Sequence, residues 1–183
     1  LNIDNTPALT TLDCSNTRLT SIDVSKNTSL SYLDVSSNVL GAVDFTANTA
    51  LRELYVKDTG INKLDVSTLT NLVNLDASSN SLAELDIVSN SLLEKLYISD
   101  NNIQGIKLDG HPDLKELEID NNNLVAIDIS VCPKLYGDDG VFSCSGNSRD
   151  ITLDTTNYDY DFSDFSKDYG LHKAWYDYEL PVA

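Results

Sequence analysis

The chain has 183 residues, 12 of them basic and 29 acidic, for a net charge of -17; that balance argues against nucleic acid and against anionic membrane surfaces as partners. No apolar run approaches the ~18 residues of a membrane-spanning helix, so no spanning segment is expected, and any signal sequence or lipoprotein anchor is expected upstream of Leu1.

Residues 1–8 (LNIDNTPA) fit the last eight positions of a unit whose full form follows six times, as repeats 9–29, 30–50, 51–71, 72–92, 93–113 and 114–134. Leu9, Leu30, Leu51, Leu72, Leu93 and Leu114 open these units, and apolar residues recur at fixed distances behind each, as in Leu33, Val35, Leu40, Val43 and Phe45. A fixed period of this length marks a solenoid, because one unit cannot bury its apolar side without a stacked neighbour. Alternation of apolar and polar residues predicts strands near Thr11 to Ser15, Tyr32 to Ser36, Glu53 to Lys57, Asn74 to Ser78, Lys95 to Ser99 and Glu116 to Asp120, paired into one parallel sheet. The return side, with apolar spacings of two and three, has no room for an α-helix and is expected to be extended, with short strands near Ser21 to Ser25 and its equivalents.

Asn38, Asn80, Asn101 and Asn122 follow the strands, with Thr17 and Thr59 substituting in two coils; Asn27, Asn48 and Asn90 occupy the other turn, where Leu69, His111 and Cys132 depart from the pattern. An inward amide satisfies backbone groups that a buried bend leaves unpaired, so both ladders are read as structural.

LSYLDVSSNVL (Leu30 to Leu40) and LVNLDASSNSL (Leu72 to Leu82) closely match LxxLxLxxNxL, and IDVSKN (Ile22 to Asn27) and LDIVSN (Leu85 to Asn90) repeat its half-motif within the same unit. The chain therefore resembles the bacterial leucine-rich repeat proteins with nested 21-residue (IRREKO-type) periodicity, including surface lipoproteins of Bacteroidota. The resemblance implies a mainly β, right-handed leucine-rich-repeat solenoid at the cell surface or secreted. Residues 135–147 read as a degenerate repeat: FSCSGN (Phe142 to Asn147) is a displaced strand motif following an insertion around YGDDG (Tyr136 to Gly140).

Residues 148–183 abandon the pattern and hold Tyr158, Tyr160, Phe162, Phe165, Tyr169, Trp175, Tyr176 and Tyr178. They are expected to form an irregular, aromatic-rich cap over the open end of the solenoid, with a carbohydrate-stacking platform as the alternative. DYDFSD (Asp159 to Asp164) is spaced like a calcium loop, but Asp164 stands where glycine is needed and Gly170 where glutamate is needed, so no metal is expected. Of three cysteines, Cys14 occupies an inward position, and only Cys132 with Cys144 is a conceivable disulfide.

Function is read from the outward residues. Acidic residues recur in two columns, Asp23, Asp44, Asp65, Asp86 and Asp128 on the return side and Asp13, Asp34, Asp76 and Glu118 on the sheet; the recurrent Asp-x-Ser points to local bonds rather than cation recruitment. His111 and His172 are the only histidines, too few to build a nucleophile-base constellation on the regular body, so an enzyme is disfavoured and no cofactor is implied. The coils are otherwise faced with Ser, Thr, Asn and Asp. Against that filler, Tyr32, Asp34, Arg52, Glu53, Tyr55, Lys57, Asp76, Lys95, Tyr97 and Glu118 form an amphipathic strip along the sheet, and Tyr and Arg concentrate binding energy because they bury large area while keeping a polar handle. The reading is a non-catalytic extracellular recognition module, monomeric, that holds a protein, peptide or glycan on this face; the alternative is a structural spacer of a larger adhesin.

Overall fold

The computed structural model describes residues 1–136, 139–147 and 152–154. Strands form where an inward apolar residue sits between two outward ones, polar in all but Val141: β1 (Thr11–Asp13), β2 (Tyr32–Asp34), β3 (Glu53–Tyr55), β4 (Asn74–Asp76), β5 (Lys95–Tyr97), β6 (Glu116–Glu118) and β8 (Val141–Ser143). They pair in parallel, in chain order, as one seven-stranded sheet. Each residue from β1 to β5 faces the residue 21 positions on, as Leu33 faces Leu54 and Leu54 faces Leu75. From β6 to β8 the spacing widens, Glu116 pairing with Val141, because a 3-10 turn (Pro133–Tyr136) and the following residues intervene.

The regular strands are three residues long, shorter than the five-residue stretches expected, but the ladder runs on past them. Cys14 N–H donates to Asp34 C=O at 2.9 Å and Asn16 N–H to Ser36 C=O at 2.8 Å. The chain then turns through a left-handed residue in every coil: Asn16, Ser37, Asp58, Ser79, Asp100 and Asn121 have φ between 51° and 57°, and Gly146 has 67°. That conformation suits glycine and, at some cost, short polar side chains, and it breaks the hydrogen-bond ladder.

The expectation of return-side strands needs correction. Among the described residues only β7 (Ala126–Asp128) forms one, pairing in parallel with β9 (Thr152–Asp154). The equivalents in earlier coils, such as Ser21–Ser25, carry no strand pairing, and Ser25 already stands in a turn; neighbouring coils are tied there by side-chain amides instead, as Asn48 Nδ2 donates to Val24 and Asn27 C=O. β9 lies within the stretch read as the C-terminal cap; the aromatic residues of that stretch lie outside the described residues.

The core is one continuous column inside the coils. Leu33, Leu54, Leu75, Leu96 and Leu117, the middle residues of five strands, are fully buried, and Phe45 and Phe142 are the largest buried side chains. Leu9, Leu12, Leu19 and Ile22 in the first coil are only partly buried. Within residues 1–9 the turn bonds Thr6 N–H to Ile3 C=O and Leu9 N–H to Thr6 C=O reproduce Asn27 N–H to Val24 C=O and Leu30 N–H to Asn27 C=O, so this segment has the geometry of a half coil.

Candidate functional site

The two asparagine columns do different work. In the first, Asn101 Nδ2 donates to Ala77 C=O in the preceding coil and to Ile98 and Ser99 C=O in its own, while Oδ1 accepts Leu82 N–H at 2.9 Å. Asn38, Asn80 and Asn122 repeat this arrangement, and Asn147 extends it into the last coil. Thr59 fits the same column because its hydroxyl donates to Val56 C=O and its N–H reaches Asn80 Oδ1. Each such amide ties two coils together at the bend.

In the second column only the amide nitrogen is used. Asn48 Nδ2 donates to Val24 and Asn27 C=O and Asn90 Nδ2 to Val66 and Leu69 C=O, but the buried Oδ1 atoms of Asn27, Asn48 and Asn90 have no partner among the described residues. This column is therefore the more permissive one, which is why Leu69, His111 and Cys132 are found in it. His111 is fully buried, with Nδ1 against Leu108 C=O at 3.1 Å and Nε2 against Ile87 C=O at 3.0 Å; its ring is engaged with backbone.

The aspartates of both acidic columns cap turns. Asp44 Oδ1 accepts the Thr46 hydroxyl at 2.6 Å and its N–H at 2.8 Å, and these bonds, hydroxyl first, hold the carboxyl below the usual range. Asp23, Asp65, Asp86 and Asp128 accept the same backbone bond from the residue two positions on, as do Asp13, Asp34 and Asp76 on the sheet. All three cysteines are free and buried. Burial, reinforced by nearby carboxylates, pushes the Cys132 and Cys144 thiols up to about 12.

The strand registers bring the outward strip together. Tyr32 and Tyr55 lie on adjacent strands with ring centroids 5.5 Å apart, tilted by 44°. Tyr55 hydroxyl donates to Glu53 Oε2 at 2.8 Å, which also receives Asn74 Nδ2 at 3.3 Å; burial and then this carboxylate push the Tyr55 phenol up to about 12. Tyr97 is separated from that pair by β4 and donates its hydroxyl to Glu116, which also pairs with Lys95 at 2.6 Å. Burial acts to raise the Glu116 carboxyl, but the bonds from Lys95 and Tyr97 bring it below the usual range. Lys95 and Tyr97 are thus committed to one another through Glu116, whereas Arg52 and Lys57 form no ion pair among the described residues. Glu118 has no side-chain hydrogen bond among the described residues, and its carboxyl is raised by burial and by Asp120, Asp76 and Glu116.

Four residues were missed by sequence reasoning: Glu116, Asn74, and Lys115 with Glu94, which pair at 2.6 Å. Their signal was available, since Tyr97 and Glu116 stand 19 positions apart and Lys115 and Glu94 21 apart, the distances that place side chains on neighbouring coils. On the return side, a cavity of about 670 Å³ opens among coils three to five, with Leu64, Leu85, Ile106, Val88, Lys63 and Lys107 in its lining. Nothing in the periodicity marked it.

A parallel-β solenoid with consensus leucines inside, an asparagine ladder at the bend and a ribbon of outward side chains on the sheet is the architecture of a leucine-rich repeat protein. A family model described as "Leucine Rich repeat" matches residues 26–44. Among solved structures, the functional domain of InlJ from Listeria monocytogenes, described as including a cysteine ladder, is similar at 30% identity and a TM-score of 0.68, over 91% of this chain and 39% of that one. The internalin InlF of the same organism aligns at 23% identity and a TM-score of 0.73, over 85% and 46% of the two chains. A leucine-rich repeat protein of Leptospira interrogans aligns at 19% and 0.61, over 82% and 46%. The chain thus spans less than half the length of these structures, and the latter two likenesses concern the fold alone. No curated protein matches the sequence. In this chain the column of Cys14 continues with Val35, Val56, Ala77, Ile98 and Ile119 before Cys144, so its cysteines do not stack into a ladder.

Proposed function

We propose that this chain is a non-catalytic recognition module of a bacterial surface or secreted protein, holding a protein, peptide or glycan against the sheet. The observation that carries the reading is the tilted Tyr32–Tyr55 pair, two half-buried rings on adjacent strands of the sheet face. Arg52 and Lys57 flank the pair, and Asp34, Glu53, Asp76, Lys95, Tyr97 and Glu118 continue the strip across paired strands. Large rings with a polar tip are what recognition surfaces concentrate at their centres. The similarity to Listeria internalin structures supports a protein partner and an extracellular setting, and the nested repeats support placement among surface lipoproteins of the Bacteroidota kind. The module acts as a monomer.

The test replaces Tyr55 and Tyr97 by serine, the residue filling many other outward positions. Wild type and double variant, matched in thermal stability, are compared on a glycan array and in a surface pull-down. Ligands captured by the wild type are expected to be lost or weakened by about 2 kcal/mol. If the wild type captures nothing, the module is a spacer; if the double variant binds with unchanged affinity, the ligand is held elsewhere than on the sheet face and the tail-platform reading takes its place.

A further inference from the structure

The third position of the strands carries an alternation that composition does not show. Strand pairing sets Asp34 against Tyr55, Tyr55 against Asp76, Asp76 against Tyr97 and Tyr97 against Glu118. Carboxylate and aromatic ring therefore alternate along the solenoid axis, all half-buried and outward. Neighbouring strands are about 4.8 Å apart, so like groups recur every ~9.6 Å. The tyrosine hydroxyls are held by Glu53 and Glu116, which fixes the rings. Asp34 and Asp76 each use Oδ1 on a backbone N–H, which leaves Oδ2 for a ligand, and Glu118 uses neither oxygen among the described residues.

A polyproline II strand advances ~3.1 Å per residue with three residues per turn, a repeat of about 9.3 Å. Over the two intervals from Asp34 to Glu118 the mismatch is therefore only about 0.6 Å. Aromatic grooves receive proline rings well, because the polyproline II conformation is already ordered before binding. We infer that this column is a subsite for an extended polyproline II segment carrying a lysine or arginine at every third residue, laid along the solenoid axis with its cations on Asp34, Asp76 and Glu118 and its prolines on Tyr55 and Tyr97. This rests on the sheet-face reading and names its partner by charge and pitch. The net charge of -17 favours a cationic ligand, and Lys57, two residues beyond Tyr55 on the same face, is the group that opposes it.

The probe is a fluorescent peptide of four Pro-Pro-Lys triplets. Its controls are four Pro-Pro-Glu triplets and four Pro-Pro-Pro-Lys quartets, the latter with equal charge but a cation spacing of about 12.4 Å. Fluorescence polarisation should show the triplet peptide binding at least about tenfold more tightly than the quartet, with the acidic peptide unbound. Asp76→Asn, which keeps an acceptor for Ser78 N–H, and Tyr55→Ser should each weaken binding about tenfold. Lys57→Ser should tighten it, and Asp65→Asn on the return side should leave it unchanged. Equal affinity for triplet and quartet peptides would show nonspecific charge attraction and overturn the inference. If no lysine peptide binds while the surface pull-down still depends on Tyr55 and Tyr97, the pitch argument alone is wrong; if neither occurs, the sheet-face reading falls with it.

Discussion

Replacing Leu75 with alanine probes the strand register on which the solenoid is built. Leu75 sits at the middle of the central strand β4, fully buried, with Leu54 and Leu96 directly across on either side. The substitution removes three carbon groups, worth about 2.4 kcal/mol at ~0.8 kcal/mol each. The void adds to this, because coils above and below are fixed by the sheet and the asparagine ladder and cannot close over it; Leu→Ala losses at such sites run to about 5 kcal/mol. A loss of about 3 to 5 kcal/mol is therefore expected, which at a urea dependence of ~2 kcal/mol/M moves the unfolding midpoint by about 1.5 to 2.5 M. The control is Ser79→Ala, at a left-handed turn position with φ 57° outside the core, where the change should stay within about 0.5 kcal/mol. Urea titrations followed by far-ultraviolet circular dichroism on both variants decide the matter. Comparable midpoints would mean that Leu75 does not lie in the shared core and that the strand register is wrong.

The two asparagine columns should separate in the same assay: Asn101→Ala leaves carbonyls and the Leu82 N–H without partners and should cost at least ~2 kcal/mol, whereas Asn90→Leu, the side chain this column already accepts at Leu69, should cost less by ~1 kcal/mol or more; equal losses would refute the asymmetry. Native Cys132 and Cys144, buried and with thiols pushed up to about 12, should resist a thiol reagent at about pH 8 until urea unfolds the chain, and rapid native labelling would place them elsewhere. Asp13, Asp23, Asp44 and Asp65 have carboxyls lowered by bonds from Ser15, Ser25, Thr46 and Ser67. A lowered carboxyl stabilises the fold above its unfolded value near ~3.9 and loses that contribution as pH falls through the folded value, so melting temperature should drop below pH ~4, and a flat profile there would contradict the caps. Glu118, raised by burial and neighbouring acids, has the opposite sign: Glu118→Gln should raise the melting temperature at about pH 7 relative to wild type and lose that advantage toward pH ~4.

Fold class, strand positions and both ladders were legible in the sequence because a solenoid has one-dimensional order: a spacing of 21 residues is at once a pattern and a contact map. Leu33 meets Leu54, and Asp34 meets Tyr55, because the count says so. The Asp-x-Ser caps were equally local, spanning two residues. What required the tertiary structure was everything that the period does not fix. The return segments have the same repeat as the strands, yet among the described residues they pair only at β7 and β9, a difference that the period alone does not announce. The second asparagine column looked like the first, but only three-dimensional placement shows its Oδ1 atoms without partners among the described residues, and hence its tolerance of Leu69 and His111. Side-chain direction decided the sheet face too: Tyr97 and Lys95 turn toward Glu116 and satisfy each other, while Tyr55 leans to Tyr32 beside Arg52 and Lys57. Repetition fixes which residues are neighbours, whereas the rotamers and desolvation that determine which neighbours bond are set only when the coils are packed.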